Sequence, residues 1–503
     1  MTRDAAAIGA GLAPARDARP IRGGERIHVV GAGGAGASAA ALLAAAAGAA
    51  VSGCDAGGPS PYTAALAAVG IHVATGHDAW HVTEGPRPDR LAVTKALTAI
   101  DPDHPELRAA RDLGIQLEPW QQVIADAAVG RTLVATAGTH GKSTTAGWLG
   151  HVLAEAGRDP SAFVGALLPA ALTGGTPATA RIGHGSAFVV EADEYAGNFD
   201  AYRPAIAVLT SIEWDHPDVF ADETAVRDVF VRWLAGMPAG GVLVANVADR
   251  GVAAILPRPE LAHLTVVETA VRDVADPDTR GVSAAIVDPG MTGTTLAVTG
   301  LDDGRAVEIR LPTAGRHNAA NALGVAGAAR ALGVATADIV HGLETFPGVG
   351  RRLERKGEVE GVVVYDDYGH HPTAIRATIE AVRQREPGRR VWAVYEPLTY
   401  HRTAALIPEF AASLATADAV VIADIWAGRD PDTTIASAEG LADAVSKARA
   451  DIPVAAPGSV EATSAWLARN VRAGDAVLVM GGGRSYLIAT DLLERLDTET
   501  AAR

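Results

Sequence analysis

Cysteine is nearly missing from these 503 residues: Cys54 stands alone, so no intrachain disulfide can form. That usage suits a reducing compartment, and a cytoplasmic location is expected. Lysine is also scarce, limited to Lys95, Lys142, Lys356 and Lys447, and arginine supplies nearly all other cationic charge. No apolar run reaches the roughly 18–20 residues that cross a bilayer. The Ala-rich stretch Ala37–Val51 comes nearest, and it reads as a buried helix because it follows a glycine loop. There is no basic run, and the formal charge of −16 argues against a nucleic-acid surface. Anionic small molecules are not excluded, because local arginines and a bound cation can dominate a site. Apolar residues make up 48% and aromatics 5%, which suits a soluble α/β chain with a core of Ala, Val and Gly.

At this length two to four domains are expected. Residues 1–24 mix Asp, Arg, Pro and Gly, lack the pattern of a signal peptide, and read as a disordered extension. Three blocks follow, at 25–130, 131–346 and 347–503, with short joints near Gly130 and Pro347-Gly348. The first opens as a βαβ unit. The second carries strand-like runs at 187–190 and 205–209, a β-rich stretch over about 241–311, and a helix at 317–332. In the third, strand-like runs at 361–365, 390–395, 417–423 and 475–480 alternate with helical periods. That alternation predicts a parallel sheet with right-handed crossovers.

What is present centres on Leu133–Thr145, an apolar run, then Gly138-Thr139-His140-Gly141-Lys142-Ser143-Thr144, then a helical run. Strand, glycine loop and helix in that order cradle a nucleotide triphosphate on backbone N–H groups. Lys142 can reach the β- and γ-phosphates, and the Ser143 hydroxyl can ligate Mg²⁺. The alternative is an ordinary strand–turn–helix corner.

Gly31, Gly33, Gly34 and Gly36 lie in a dinucleotide-type loop, with Asp55 nineteen residues after Gly36. Three readings stand: an NAD(P)-dependent oxidoreductase, a site for a nucleotide-linked substrate, or glycines that only pack a helix. Glu191 closes an apolar run and is placed for Mg²⁺, although Glu191–Glu194 also suits a solvated turn. His216 ends the next run; imidazole is an unusual Mg²⁺ ligand, and a structural role competes. His317, Asn318 and Asn321 can share one helix face, to read a base edge or to cap the helix. Arg351 and Arg352 at the second joint suit a phosphate clamp or a surface ion pair. The corners Asp366–Pro372 and Glu396–Thr403 fall on the ligand-binding edge of an open α/β sheet.

Together and in this order, these motifs resemble the Mur ligases, over nearly the whole chain after residue 24. The likeness is greatest to the alanine-adding branch. It implies an α/β protein of three domains: a Rossmann-like N-terminal domain, a P-loop central ATPase domain and a Rossmann-like C-terminal domain. It implies ATP and Mg²⁺ as cofactors, UDP-N-acetylmuramate and L-alanine as substrates, and an acyl-phosphate intermediate in peptidoglycan precursor synthesis. A monomer or weak homodimer is expected.

Carried over by position, Gly31, Gly33, Gly34, Gly36 and Asp55 would hold the UDP part. Gly138–Thr144, His317, Asn318, Asn321, Arg351, Arg352 and Asp367 would surround ATP. Ser143 and Glu191 would ligate one Mg²⁺ and His216 a second. Tyr368, His370 and Arg402 would position the amino acid or the reacting carboxylate, so that Lys142, His216, His370 and Arg402 form the catalytic set.

The later-acting branches use a carbamylated central-domain lysine, and this chain has none between Lys142 and Lys356. Two departures stand out: Leu398 where the alanine-adding branch has histidine, and Gly481–Arg484. Glu396-Pro397 also occurs in the recycling branch that attaches a whole tripeptide, which is the nearest alternative, and a catalytically silent paralogue is another.

Overall fold

Short runs of Val, Ile, Leu and Ala, each followed by a glycine or polar corner and then a helix, form parallel strands buried on both faces. In the computed structural model residues 5–274, 281–302, 304–428, 430 and 432–501 are described. They form three sheets, one in each block.

The first sheet contains β1 (Arg26–Val30), β2 (Ala50–Asp55), β3 (Val73–Thr75), β4 (Arg90–Val93) and β5 (Gln116–Pro119), in the order β3-β2-β1-β4-β5. All its pairings are parallel. The order reverses beside β1, so the loop after β1 lies at the switch point where such sheets bind ligands.

The central sheet has ten strands. Its core is β6 (Thr132–Ala137), β7 (Ser161–Leu168), β8 (Ala178–Arg181), β9 (Ala187–Ala192), β10 (Ile206–Leu209) and β11 (Val242–Asn246). The β-rich stretch expected near 241–311 supplies β11 with β12 (Thr265–Arg272), β13 (Val282–Asp288), β14 (Thr294–Asp302) and β15 (Arg305–Leu311). The order is β15-β14-β13-β12-β11-β10-β6-β9-β7-β8. Strand β6 sits between β9 and β10, both parallel to it, so the loop after β6 has an acidic strand end on either side.

The third sheet comprises β16 (Glu354–Val359), β17 (Val362–Asp367), β18 (Arg390–Glu396), β19 (Ala419–Ala423), β20 (Val454–Gly458) and β21 (Asp475–Gly481). The order is β16-β17-β21-β18-β19-β20, parallel except for the hairpin β16–β17.

Residues 5–24 do not run free. Ala13 donates its amide to Leu117 O, and the Thr98 hydroxyl bonds Ile8 O. Arg16 pairs with Glu118 and Asp126 at 3.0 and 2.7 Å, and Arg19 with Glu25 at 2.5 Å. The fully buried Arg90 completes the group through Glu25, Glu118 and Asp126. Three guanidinium groups thus balance three carboxylates. The expectation of a disordered extension fails because single charges scattered along the sequence give no sign of partners a hundred residues away.

Candidate functional site

A cleft of about 1830 Å³ opens where the three sheets meet. It is larger than the roughly 300–1,000 Å³ that holds one small ligand. Its walls include Gly33–Gly36 and Asp55 from the first domain, Thr139–Thr144 and Glu191 from the second, and Arg352, Asp367, Tyr368 and Arg402 from the third.

At the first wall, Gly33 N–H donates to Asp55 Oδ2 at 2.9 Å and Gly57 N–H to Oδ1 at 2.8 Å. Asp55, expected beside a ribose, therefore turns both oxygens to loop amides and holds the turn. Trp120 lies against Gly36 and meets Phe163 edge-on, with centroids 5.4 Å apart. Sequence reasoning missed Trp120, because nothing in the local pattern ties it to a loop eighty residues earlier.

In the loop after β6, Gly141 caps the helix Lys142–Glu155 at φ 79, and an added Cβ would lie 2.4 Å from Asn321 Oδ1. Only glycine satisfies both the left-handed backbone and that close approach. Thr139 fixes the loop to the neighbouring strand end: its amide bonds Ser211 O, and its hydroxyl accepts from Glu213 N at 2.8 Å. The helix N-terminus therefore faces the cleft with its amides and dipole.

Lys142 Nζ lies 2.6 Å from Gly138 O, 3.1 Å from Glu194 Oε2 and 3.8 Å from Asp193 Oδ1. Burial works against its charge, but Glu194, Asp193 and Glu191 together hold its pKa above the ordinary lysine value. The ammonium is thus kept charged beside the phosphate cradle. Glu191 Oε2 accepts from Gly165 N at 2.6 Å, which orients the carboxylate at the end of β9.

Beyond the loop, Asn318 Nδ2 bonds Ala314 O at 2.8 Å and Asn321 Nδ2 bonds Asn318 Oδ1 at 3.3 Å. Gly315, which precedes this helix, makes no side-chain cap bond, and Asn318 ties the first turn to the backbone before it. His317, Asn318 and Asn321 all line the cleft.

The two hinge arginines separate. Arg351 is anchored in its own domain by Asp366 (3.1 Å), Gly481 O (2.7 Å) and Ser485 Oγ (2.8 Å). Arg352 crosses to the central domain and donates to Ser143 Oγ at 2.8 Å. Of the pair, Arg352 alone bonds the glycine loop; Arg351, expected to face ATP, lines the same cleft with its guanidinium held by its own domain. Asp367 accepts from Leu353 N and Gly369 N, both at 2.7 Å, and so shapes the corner that carries Tyr368 and His370.

That corner meets the end of β10. Arg402 Nε donates to Asp215 Oδ1 at 2.7 Å, and its Nη2 lies 3.2 Å from His216 Nδ1. Arginine only donates, so His216 Nδ1 accepts and the neutral ring carries its proton on Nε2. His216 therefore offers no lone pair to a metal while that bond stands. Its backbone has φ 55, uncommon for a non-glycine residue. His370 Nδ1–H donates to Tyr368 O at 3.0 Å, leaving Nε2 as acceptor. Burial, reinforced by Arg402, pushes its pKa well below the ordinary value, so the ring is neutral.

Leu398 bridges to Trp426, and its carbonyl accepts from Arg402 Nη1 at 3.0 Å. A Cβ on Gly482 would lie 2.5 Å from Leu398 Cδ2 and 3.3 Å from the Tyr368 ring. Gly482 and Gly483 thus let the backbone press against Leu398 and Trp426. The two sequence departures, Leu398 and the glycines before Arg484, are in contact and form an apolar part of the cleft wall.

Residues 26–132, 136–329 and 351–483 match, in turn, "Mur ligase family, catalytic domain", "Mur ligase middle domain" and "Mur ligase, glutamate ligase domain". The UDP-N-acetylmuramate–L-alanine ligase of Kineococcus radiotolerans is 38% identical over 472 residues, covering 94% of this chain and 96% of that protein. The enzyme of the same name from Mycolicibacterium smegmatis is 37% identical over 477 residues, covering 94% and 95%. Among solved structures, the UDP-N-acetylmuramate–alanine ligase of Thermotoga maritima superimposes with a TM-score of 0.76 at 23% identity, covering 94% of this chain and 99% of that one. A murein peptide ligase of Psychrobacter arcticus gives 0.70 at 26% identity, with the same coverage.

Proposed function

Since the chain belongs to the Mur ligase family, we propose that it joins L-alanine to the carboxylate of UDP-N-acetylmuramate at the expense of ATP. This is a step of peptidoglycan precursor synthesis, which we place in the cytoplasm. No described helix is long and apolar enough to cross a membrane. The observation that carries the reading is the single cleft lined by the nucleotide loop, the first-domain glycine loop and the Tyr368–Arg402 corner together.

In the first step the muramoyl carboxylate attacks the γ-phosphorus, ADP leaves, and an acyl phosphate forms. Both reactants are anionic, so approach requires cations. Lys142 and Arg352 reach the loop from opposite domains and supply fixed positive charge there. The oxygens of Ser143 and Glu191 suit Mg²⁺, which prefers hard oxygen donors, and when bound it would neutralise phosphate charge. Ser143 would exchange its bond from Arg352 for that role. His216 lies with Asp193 and Glu194, their donor atoms within 4.8 Å of one another, and would likewise have to exchange its bond from Arg402 to take part in holding a second Mg²⁺.

In the second step the amine attacks the acyl carbon and phosphate leaves. The amine must lose a proton; His370 Nε2 is an acceptor at the cleft wall, although burial and Arg402 keep the ring a weak base. Leu398 and Trp426 offer an apolar surface to a small side chain such as the alanyl methyl. Closure of the third domain on the second keeps water from the acyl phosphate.

Purified protein given ATP, Mg²⁺ and UDP-N-acetylmuramate should release ADP and phosphate when L-alanine is added. Turnover with L-alanyl-γ-D-glutamyl-diaminopimelate and none with L-alanine would transfer the chain to the peptide-recycling branch.

A further inference from the structure

Away from the cleft, four residues drawn from separate elements converge inside the first domain. His28 is on β1, Cys54 on β2, His81 on the helix Trp80–Thr83, and Glu106 in the first turn of the helix Pro105–Asp112. All four are buried, none lines the cleft, and their donor atoms lie within 4.8 Å of one another.

Glu106 Oε1 is the common vertex. It lies 3.1 Å from His28 Nε2, 3.0 Å from His81 Nδ1 and 3.5 Å from Cys54 Sγ. Tetrahedral zinc, with bonds of about 2.0–2.3 Å, separates its ligand atoms by roughly 3.3–3.8 Å, so the ring needs only small adjustments. His28 Nδ1 lies 2.8 Å from Ser52 Oγ, an outer bond of the kind that turns the other ring nitrogen toward a metal. His28 Nε2, the nitrogen that faces Glu106, is buried with no hydrogen-bond partner. Among the described residues, the ion-pair partners of the fully buried Glu106 carboxylate are His28, His77 and His81, with no lysine or arginine.

We propose that His28, Cys54, His81 and Glu106 bind one Zn²⁺ inside the first domain. Thiolate and imidazole donors favour Zn²⁺ over Mg²⁺ or Ca²⁺. On binding, the Cys54 thiol gives its proton to solvent. Thiolate and carboxylate then neutralise the dication, so the apolar shell of Val30, Val82, Leu91 and Leu107 encloses no net charge. His77 Nδ1, 3.0 Å from Sγ and 3.7 Å from Glu106 Oε2, borders the site. The ion staples β1 and β2 to the two helices. Cys54 adjoins Asp55, which holds the Gly33 and Gly57 amides, so the staple also anchors the first glycine loop.

The test uses the full chain, stripped with chelator and titrated with Co²⁺. Cys54 is the sole cysteine, so a sulfur-to-cobalt charge-transfer band can arise at this site alone. One equivalent of Co²⁺ should produce that band with the intense visible bands of tetrahedral cobalt. One equivalent of Zn²⁺ should abolish both and raise the thermal midpoint. Cys54→Ser should lose the band and the Zn²⁺-dependent rise, and Ser52→Ala should weaken Zn²⁺ about 10- to 100-fold. A folded wild-type protein that takes up Co²⁺ without the sulfur band, or takes up none, would overturn the proposal.

Discussion

Arg402 in the third domain and Asp215 in the second lie with Nε 2.7 Å from Oδ1, both side chains buried. Burial raises the Asp215 pKa, but Arg402 and the histidines 216, 371 and 370 more than reverse this and hold it well below the ordinary range. Removing one partner strands the other charge. Arg402→Ala should therefore cost about 3–5 kcal/mol in urea unfolding and abolish turnover. Arg402→Met combined with Asp215→Asn should restore most of the stability and none of the activity. A single variant as stable as wild type would show that the pair does not hold the domains.

On the proposed reading, Lys142 supplies positive charge to the phosphates held at its loop. Lys142→Ala should lower ADP release by at least about 100-fold, with the circular dichroism spectrum unchanged. Lys142→Arg should not restore it, because a planar fork does not replace a point charge close to the loop backbone. Near-normal release from either variant would remove Lys142 from the site.

His371 sets an acid limit on the closed arrangement. Burial first, then the neighbouring His140, press its pKa from 6.5 to about 4, against the pull of Asp215 and Glu213. Between those values the unfolded chain binds a proton that the folded chain refuses, so stability falls as pH falls from 6.5 to 4. The full effect is about 3 kcal/mol. Glu213, held at about 2, adds its own loss only below the ordinary carboxylate range. Comparing unfolding of wild type and His371→Asn across this window should show a shallower pH slope in the variant; equal slopes would count against the assignment.

Arg16 and Arg19 complete a buried charge set. Without them Arg90 alone would face Glu25, Glu118 and Asp126. A chain starting at Glu25 should melt at a lower temperature than the full chain, and Arg16→Ala should reproduce part of the loss. An unchanged melting temperature in the truncated chain would mean the segment is only draped over the surface.

Gly482 tests the proposed place of the amine beside Leu398. Gly482→Val would push into Leu398 and Tyr368. The KM for L-alanine should rise while that for ATP stays near wild type, as steady-state kinetics with each substrate varied would reveal. A rise for ATP alone would place the pocket elsewhere.

The nucleotide loop is legible in the sequence because strand, loop and helix are contiguous there and each side chain's task is local. The same holds for Asp366–Pro372, a corner with more functional groups than a turn needs. What the sequence does not reveal is longer-ranged. Arg351 and Arg352 are neighbours of one type, and only the packing of Asp366 and Ser485 around the first decides which of them crosses the cleft. Asp55 fits the ribose acid by spacing, yet its oxygens turn to its own loop. Leu398 looks anomalous until Gly482 and Trp426 are seen against it.

The split between Arg351 and Arg352 has a mechanical consequence. The first is tied to the third domain, so the place of the second at Ser143 is set by where that domain sits. On the proposed reading, a swing of the third domain away from the second would take Arg352, and part of the counter-charge, from the nucleotide loop. Arg352 would then act as a coincidence detector: its return would bring charge compensation and the amine-binding corner to the loop together.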